Sequence, residues 1–174
     1  MESIQENALD VRIIKLRKMI VARFHAISES TEYIAMGKMM TWAEPLGLLR
    51  NYDKSQIFGF NNPNPSPNRK EYGYEVWIKI ISRLDPDRDD VETQRVNGGL
   101  YAVTRTKLIV NEENVIPSWE RIAHWVNSSK AYMIGQHQWL ERHLNPLARP
   151  EELILDLYCQ IESEKSPDSP AVRN

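Results

Sequence analysis

Alternating apolar and polar residues, the mark of a strand with one buried face, recur along most of this chain and yield to helical spacing in two places. Val11-Arg12-Ile13-Ile14 and Met19-Ile20-Val21-Ala22-Arg23-Phe24 are β-branched and predict two strands within residues 11–27. Ser28-Glu29-Ser30-Thr31 is a helix start, and Tyr33 to Leu49 predicts a helix that Pro45 and Gly47 kink or end. Gln56 to Phe60 reads as a short strand, and Asn61 to Asn68 is a Pro- and Asn-rich loop. Tyr72 to Ile80 alternates strongly, with Tyr74, Val76, Ile78 and Ile80 on one face.

The polar connector Leu84 to Asp90 is the expected seam of the chain. Val91 to Val96 and Gly98 to Thr104 then give strand, tight turn and strand. Ile116 to Val126 is an amphipathic helix with Pro117 in its first turn. Gln138 to Leu144 predicts a strand that puts Trp139, Glu141 and His143 on one face and Leu140, Arg142 and Leu144 on the other. Leu153 to Ile161 closes the domain. Residues 1–10 are expected to be a flexible start and 163–174 a disordered tail.

The two halves follow one order of elements. A shift of 81 residues lays residues 11–81 over 92–162, so that Val21 meets Ala102, Phe58 meets Trp139, Glu75 meets Asp156 and Trp77 meets Tyr158. The fold class expected is α+β: duplicated β-α-β-β units forming a curved antiparallel sheet, with two main helices and a central groove. The same shift sets Glu141 opposite Phe60. A carboxylate replacing an aromatic at one of two equivalent sites is costly if buried, and signals a function or a compensating partner. The alternative for Glu141 is a surface ion pair with Arg142 or Arg121.

Composition narrows the partners. A net charge of −2 and a pI near 6.1 give no basic stripe for nucleic acid. One cysteine, Cys159, cannot form an intramolecular disulfide; it alternates with Leu157 and Ile161 and reads as a buried hydrophobe. No Cys/His group has zinc-ligand spacing, and no metal or cofactor is expected. Without a signal-peptide pattern or an apolar run near ~18 residues, the expectation is a cytoplasmic protein with no membrane partner. Glu75 and Asp156, at matched positions, are expected to share a structural role on the outer sheet surface. His25, His124 and His137 have neither a nucleophile partner nor metal spacing.

Taken together, Tyr74-Glu75-Val76-Trp77-Ile78, Gly98-Gly99-Leu100-Tyr101-Ala102-Val103, the Ile116-Pro117-Ser118-Trp119-Glu120 helix start, Leu140-Glu141-Arg142 and Leu155-Asp156-Leu157-Tyr158 resemble the GyrI-like domain. This is also called the AraC-type effector-binding domain, and it forms the drug-binding half of MerR-class multidrug regulators. The resemblance covers roughly residues 11–162, and departs from the family where Cys159-Gln160 stands in place of a common Ile-Pro step. It implies a groove along a pseudo-twofold axis for lipophilic, often cationic aromatic ligands, built from stacked aromatics and one acid, with Glu141 at the acid's position. No helix-turn-helix module is expected before the domain.

The ligand-binding residues expected are Glu141, Trp139, Tyr158, Trp119, Trp77, Phe60, Tyr101 and His143. The leading function is a stand-alone module that senses or sequesters small lipophilic molecules. The resemblance leaves two others open: a hydrolase of cyclopropanoid genotoxins, with Glu141 as acid/base and Tyr158 or Tyr101 as the hydroxyl, and an inhibitor of DNA gyrase.

Overall fold

A computed structural model describes residues 9–80, 91–108 and 115–163. The expected seam at 84–90, most of the flexible start and nearly all of the tail lie outside the described residues. Nine strands are described: β1 Arg12–Leu16, β2 Met19–Ser28, β3 Ile57–Asn61, β4 Tyr72–Lys79, β5 Glu92–Val96, β6 Gly99–Lys107, β7 Tyr132–Ile134, β8 Leu140–His143 and β9 Ile154–Ser163. Two helices, α1 Thr31–Ala43 and α2 Val115–Asn127, pack on the sheet they form.

The sheet is antiparallel and runs β1-β6-β9-β8-β3-β4-β2-β5, with β7 added beside β9. Exchanging β1 with β5, β2 with β6, β3 with β8 and β4 with β9 reverses this order onto itself. The duplication is therefore real, with its pseudo-twofold axis between β3 and β8. Each repeat begins with a strand that the expected β-α-β-β unit lacks, and that first strand crosses over; the second repeat also carries β7. β1 pairs with β6 of the second half, and β5 pairs with β2 of the first. Gly98, at φ +73 beside the Leu16 carbonyl, makes the turn from β5 to β6 in a conformation that side chains disfavour.

The helices owe their seats to spacing. Thr31, Ala35, Met39 and Ala43 bury one stripe of α1 on Ala22, Val76 and Ile78, while Ser118, Ile122 and Val126 bury one stripe of α2 near Ala102, Cys159 and Ile161. The helix expected to reach Leu49 ends at Ala43, and a turn at Gly47 (φ +68) leads into a short 3-10 segment. Cys159 is fully buried as expected, and burial pushes its thiol up to about 12.

The opposite face of the curled sheet is also closed. Val21, Phe58, Phe60, Trp77, Tyr101, Leu140 and Tyr158 form one core there, with edge-on contacts between Phe60 and Trp77 and between Tyr101 and Tyr158. Glu75 and Asp156 belong to this side and are buried, not on an outer surface as expected. Arg23 Nε lies 2.7 Å from Glu75, and Trp77 and Asn62 also donate to that carboxylate. Asp156 is held by Arg12 at 2.9 Å and Arg105 at 2.8 Å. Burial works to raise both carboxyls, but these donors more than offset it and hold both below their ordinary values.

The uniform shift of 81 residues is correct for β4 and β9 but one residue off on either side. Ala22 and Ala102 both lie under their helices, whereas Val21 and Tyr101 both face away, so Val21 corresponds to Tyr101 and not to Ala102. Likewise Phe58 corresponds to Leu140 rather than Trp139. Glu141 then corresponds to Gly59, not Phe60, and the two stand directly opposite each other across the axis.

Candidate functional site

The site grows from β4. Its strand period places Tyr72 and Tyr74 on the helix-facing side, about 7 Å apart along the backbone. Thr31 at the start of α1 fixes that helix to them: its hydroxyl donates to the Ala26 carbonyl at 2.6 Å and accepts from the Tyr74 amide at 3.1 Å. This seats Glu32, whose two carboxylate oxygens both lie 2.7 Å from the Tyr72 hydroxyl.

Tyr74 reaches further, across β3 to β8. Its hydroxyl donates to Glu141 Oε2 at 2.7 Å and lies 3.2 Å from His143 Nε2. The path runs over Gly59, where an added Cβ would stand 2.1 Å from the Tyr74 oxygen. Because the Tyr74 O–H is donated to Glu141, His143 meets the phenol oxygen as a donor, through an Nε2–H. Burial pushes His143 down to about 4, so the ring is neutral at pH 7. From α2, the Trp119 indole N–H points at Glu141 Oε1 at 3.4 Å, and the ring stacks on Trp139 with centroids 5.3 Å apart.

These groups line a cleft of about 1050 Å³ between α1 and α2, over the pseudo-twofold axis. Met36, Met40, Val115, Leu153 and Leu155 supply apolar wall, and the exposed Tyr33, Ile116 and Leu147 form its rim. The volume is of the size that takes a drug-like molecule. Glu32 and Glu141 are its carboxylates, and no lysine or arginine is among the described residues that line it.

Of the residues expected to bind ligand, Glu141, Trp119 and His143 line this cleft. Trp139 shares their side of the sheet but backs Trp119 and does not line the cleft itself. Four expectations require correction. Phe60, Trp77, Tyr101 and Tyr158 lie in the core on the other face, each at most 7% exposed. A strand buried on both faces carries aromatics on both, and alternation alone does not say which face meets a ligand. Tyr101 and Tyr158 are thus removed as hydroxyl partners of Glu141; the partner is Tyr74. Among the described residues, Tyr74 and Trp119 donate to Glu141, and Arg142 and Arg121 do not: Arg142 points to the opposite face and pairs with Asp53 at 3.4 Å, and Arg121 donates to Ser118. Tyr74, Glu32 and Tyr72 were not singled out by sequence; the signal available was the tyrosine pair two residues apart on one strand.

Among the described residues no group of His, Cys, Asp and Glu has the arrangement to hold a metal ion, and no helix is long and apolar enough to cross a membrane.

A family model described as an integron-associated effector binding protein matches residues 12–161. Among solved structures, the EcmrR C-terminal domain is similar with a TM-score of 0.63 at 8% identity, over 90% of this chain and 99% of that one. SAV2435 bound to tetraphenylphosphonium gives 0.53 at 13% identity, over 88% and 94%. A hydrolase from Listeria innocua gives 0.54 at 10% identity, over 88% and 92%. At these identities the likeness is one of fold. No curated protein matches by sequence.

Proposed function

The chain belongs to the integron-associated effector-binding family, within the GyrI-like, AraC-type effector-binding superfamily, and from that premise we propose that it binds lipophilic cations in the cleft between α1 and α2. The observation that carries the proposal is the Glu141 carboxylate on the floor of a cleft walled by apolar and aromatic side chains and lined by no lysine or arginine among the described residues. Glu141 accepts hydrogen bonds from Tyr74 and Trp119, both neutral donors, which orient its carboxylate in the cleft. Away from bulk water a cation gains more from that charge than it would at the surface, and the Trp119 face adds a cation–π contact. A ligand bound there is sensed or sequestered without any chemistry.

Titration calorimetry with two ions of one shape tests this. Tetraphenylphosphonium, the ligand in the SAV2435 structure, is expected to bind, and its anionic isostere tetraphenylborate is not. Glu141→Gln is expected to weaken the phosphonium by about tenfold or more, about 1.4 kcal/mol. Equal binding of both ions, or indifference to the substitution, would contradict the reading.

The Tyr74–Glu141 hydrogen bond also favours a second reading, acid–base hydrolysis of cyclopropanoid genotoxins, in which Glu141 takes the proton of an attacking water. Under this reading Glu141→Gln retains substrate binding and loses turnover. Absence of ring-opened product above background with the unaltered protein would exclude it.

A further inference from the structure

The cleft contains a second carboxylate that binding of one cation at Glu141 leaves unused. Glu32, in the first turn of α1, is fixed on the Tyr72 hydroxyl as Glu141 is fixed on Tyr74. The two tyrosines stand on one face of β4 about 7 Å apart, so the carboxylates are held at two places along the same cleft. Asn61, opposite Tyr74 in the β3–β4 register, also lines the cleft, and its side-chain oxygen is buried without a hydrogen-bond partner. A buried acceptor in that condition is destabilising unless a donor reaches it.

We propose that the preferred ligand is an aromatic dication carrying N–H donors, with one charged end at Glu141 and the other at Glu32, and with Asn61 as an added acceptor. The inference rests on the cation-binding reading of Glu141 and deepens it. His143 adds no opposing charge at neutral pH, because burial keeps its ring unprotonated. A single cation at Glu141 leaves the Glu32 carboxylate without an opposite charge from the ligand, and a second positive end supplies one. The aromatic middle of such a ligand meets Trp119 and the methionines of α1.

The probes are pentamidine, an aromatic bis-amidine, and 4-butoxybenzamidine, which carries one amidine, each titrated calorimetrically into the full chain with tetraphenylphosphonium as a control. The bis-amidine is expected to bind about tenfold more tightly than the mono-amidine. Glu32→Gln is expected to bring that ratio close to one while leaving the mono-amidine and tetraphenylphosphonium unchanged, and Glu141→Gln to weaken all three. A bis-amidine no tighter than the mono-amidine, or a ratio that survives Glu32→Gln, overturns the two-carboxylate inference and leaves the cation site standing if tetraphenylphosphonium still binds. Loss of binding for all three probes to the unaltered protein overturns the cation site itself.

Discussion

Gly59 decides where Tyr74 points. Any side chain there would fill the space through which the phenol reaches Glu141, since its Cβ would lie 2.1 Å from the hydroxyl oxygen and 2.5 Å from the ring carbon bearing it. Gly59→Ala is expected to push Tyr74 off Glu141, to cost about 1–3 kcal/mol in urea unfolding and to weaken tetraphenylphosphonium binding. Tyr74→Phe keeps the ring and is expected to be milder for stability. His143 gives a pH signature. Its pKa in the folded protein, about 4, lies below the unfolded value of about 6.5, so between these pH values the unfolded chain binds more protons and stability falls as pH falls. Unfolding at pH 7 and at pH 5 is expected to show a loss that His143→Asn reduces; an identical loss in both proteins would remove His143 as the cause. Strand alternation read from sequence does put Glu141 and His143 together on one face, and the structure agrees. Gly59 was not legible in this way, because its role comes from a tyrosine on a neighbouring strand that crosses it.

At the level of elements, the two halves solve one problem with unequal means. Glu75 is buried with Arg23 as its cationic partner in the core, whereas Asp156 has both Arg12 and Arg105. Removing one partner of a buried pair leaves an uncompensated charge, at a cost of roughly 3–5 kcal/mol. Arg23→Ala is therefore expected to destabilise by about that much, and Arg105→Ala by clearly less, since Arg12 remains; equal losses in denaturant unfolding would contradict the asymmetry. Most strands and both helices were legible, because burial of one face writes a period of two or of about 3.6 into the sequence. Two things were not. The crossing of β1 and β5 between halves depends on pairing partners far away in sequence, and no local pattern records it. The register slip in β2/β6 and β3/β8 is hidden because the neighbours Val21 and Ala22, and likewise Trp139 and Leu140, are all apolar, so a one-residue error leaves the pattern plausible. That slip is why Phe60 was set opposite Glu141 when the true counterpart is Gly59.

For the molecule as a whole, the pseudo-twofold axis sets the site. The helices flank the axis, β3 and β8 meet on it, and the cleft opens over their junction, where Glu141 breaks the symmetry against a glycine. The tightly packed aromatics of the other face stabilise the curl of the sheet and give the cleft a rigid floor. The central claim is that a lipophilic cation enters this cleft and lies against Glu141. A crystal structure of the protein with tetraphenylphosphonium tests it most directly. The account predicts the ion between α1 and α2, with a phenyl ring on Trp119 and the phosphonium within about 6 Å of the Glu141 carboxylate. An ion seated instead on the opposite face, near Arg142 and Tyr158, or a cleft left without ligand at saturating concentration, would contradict it.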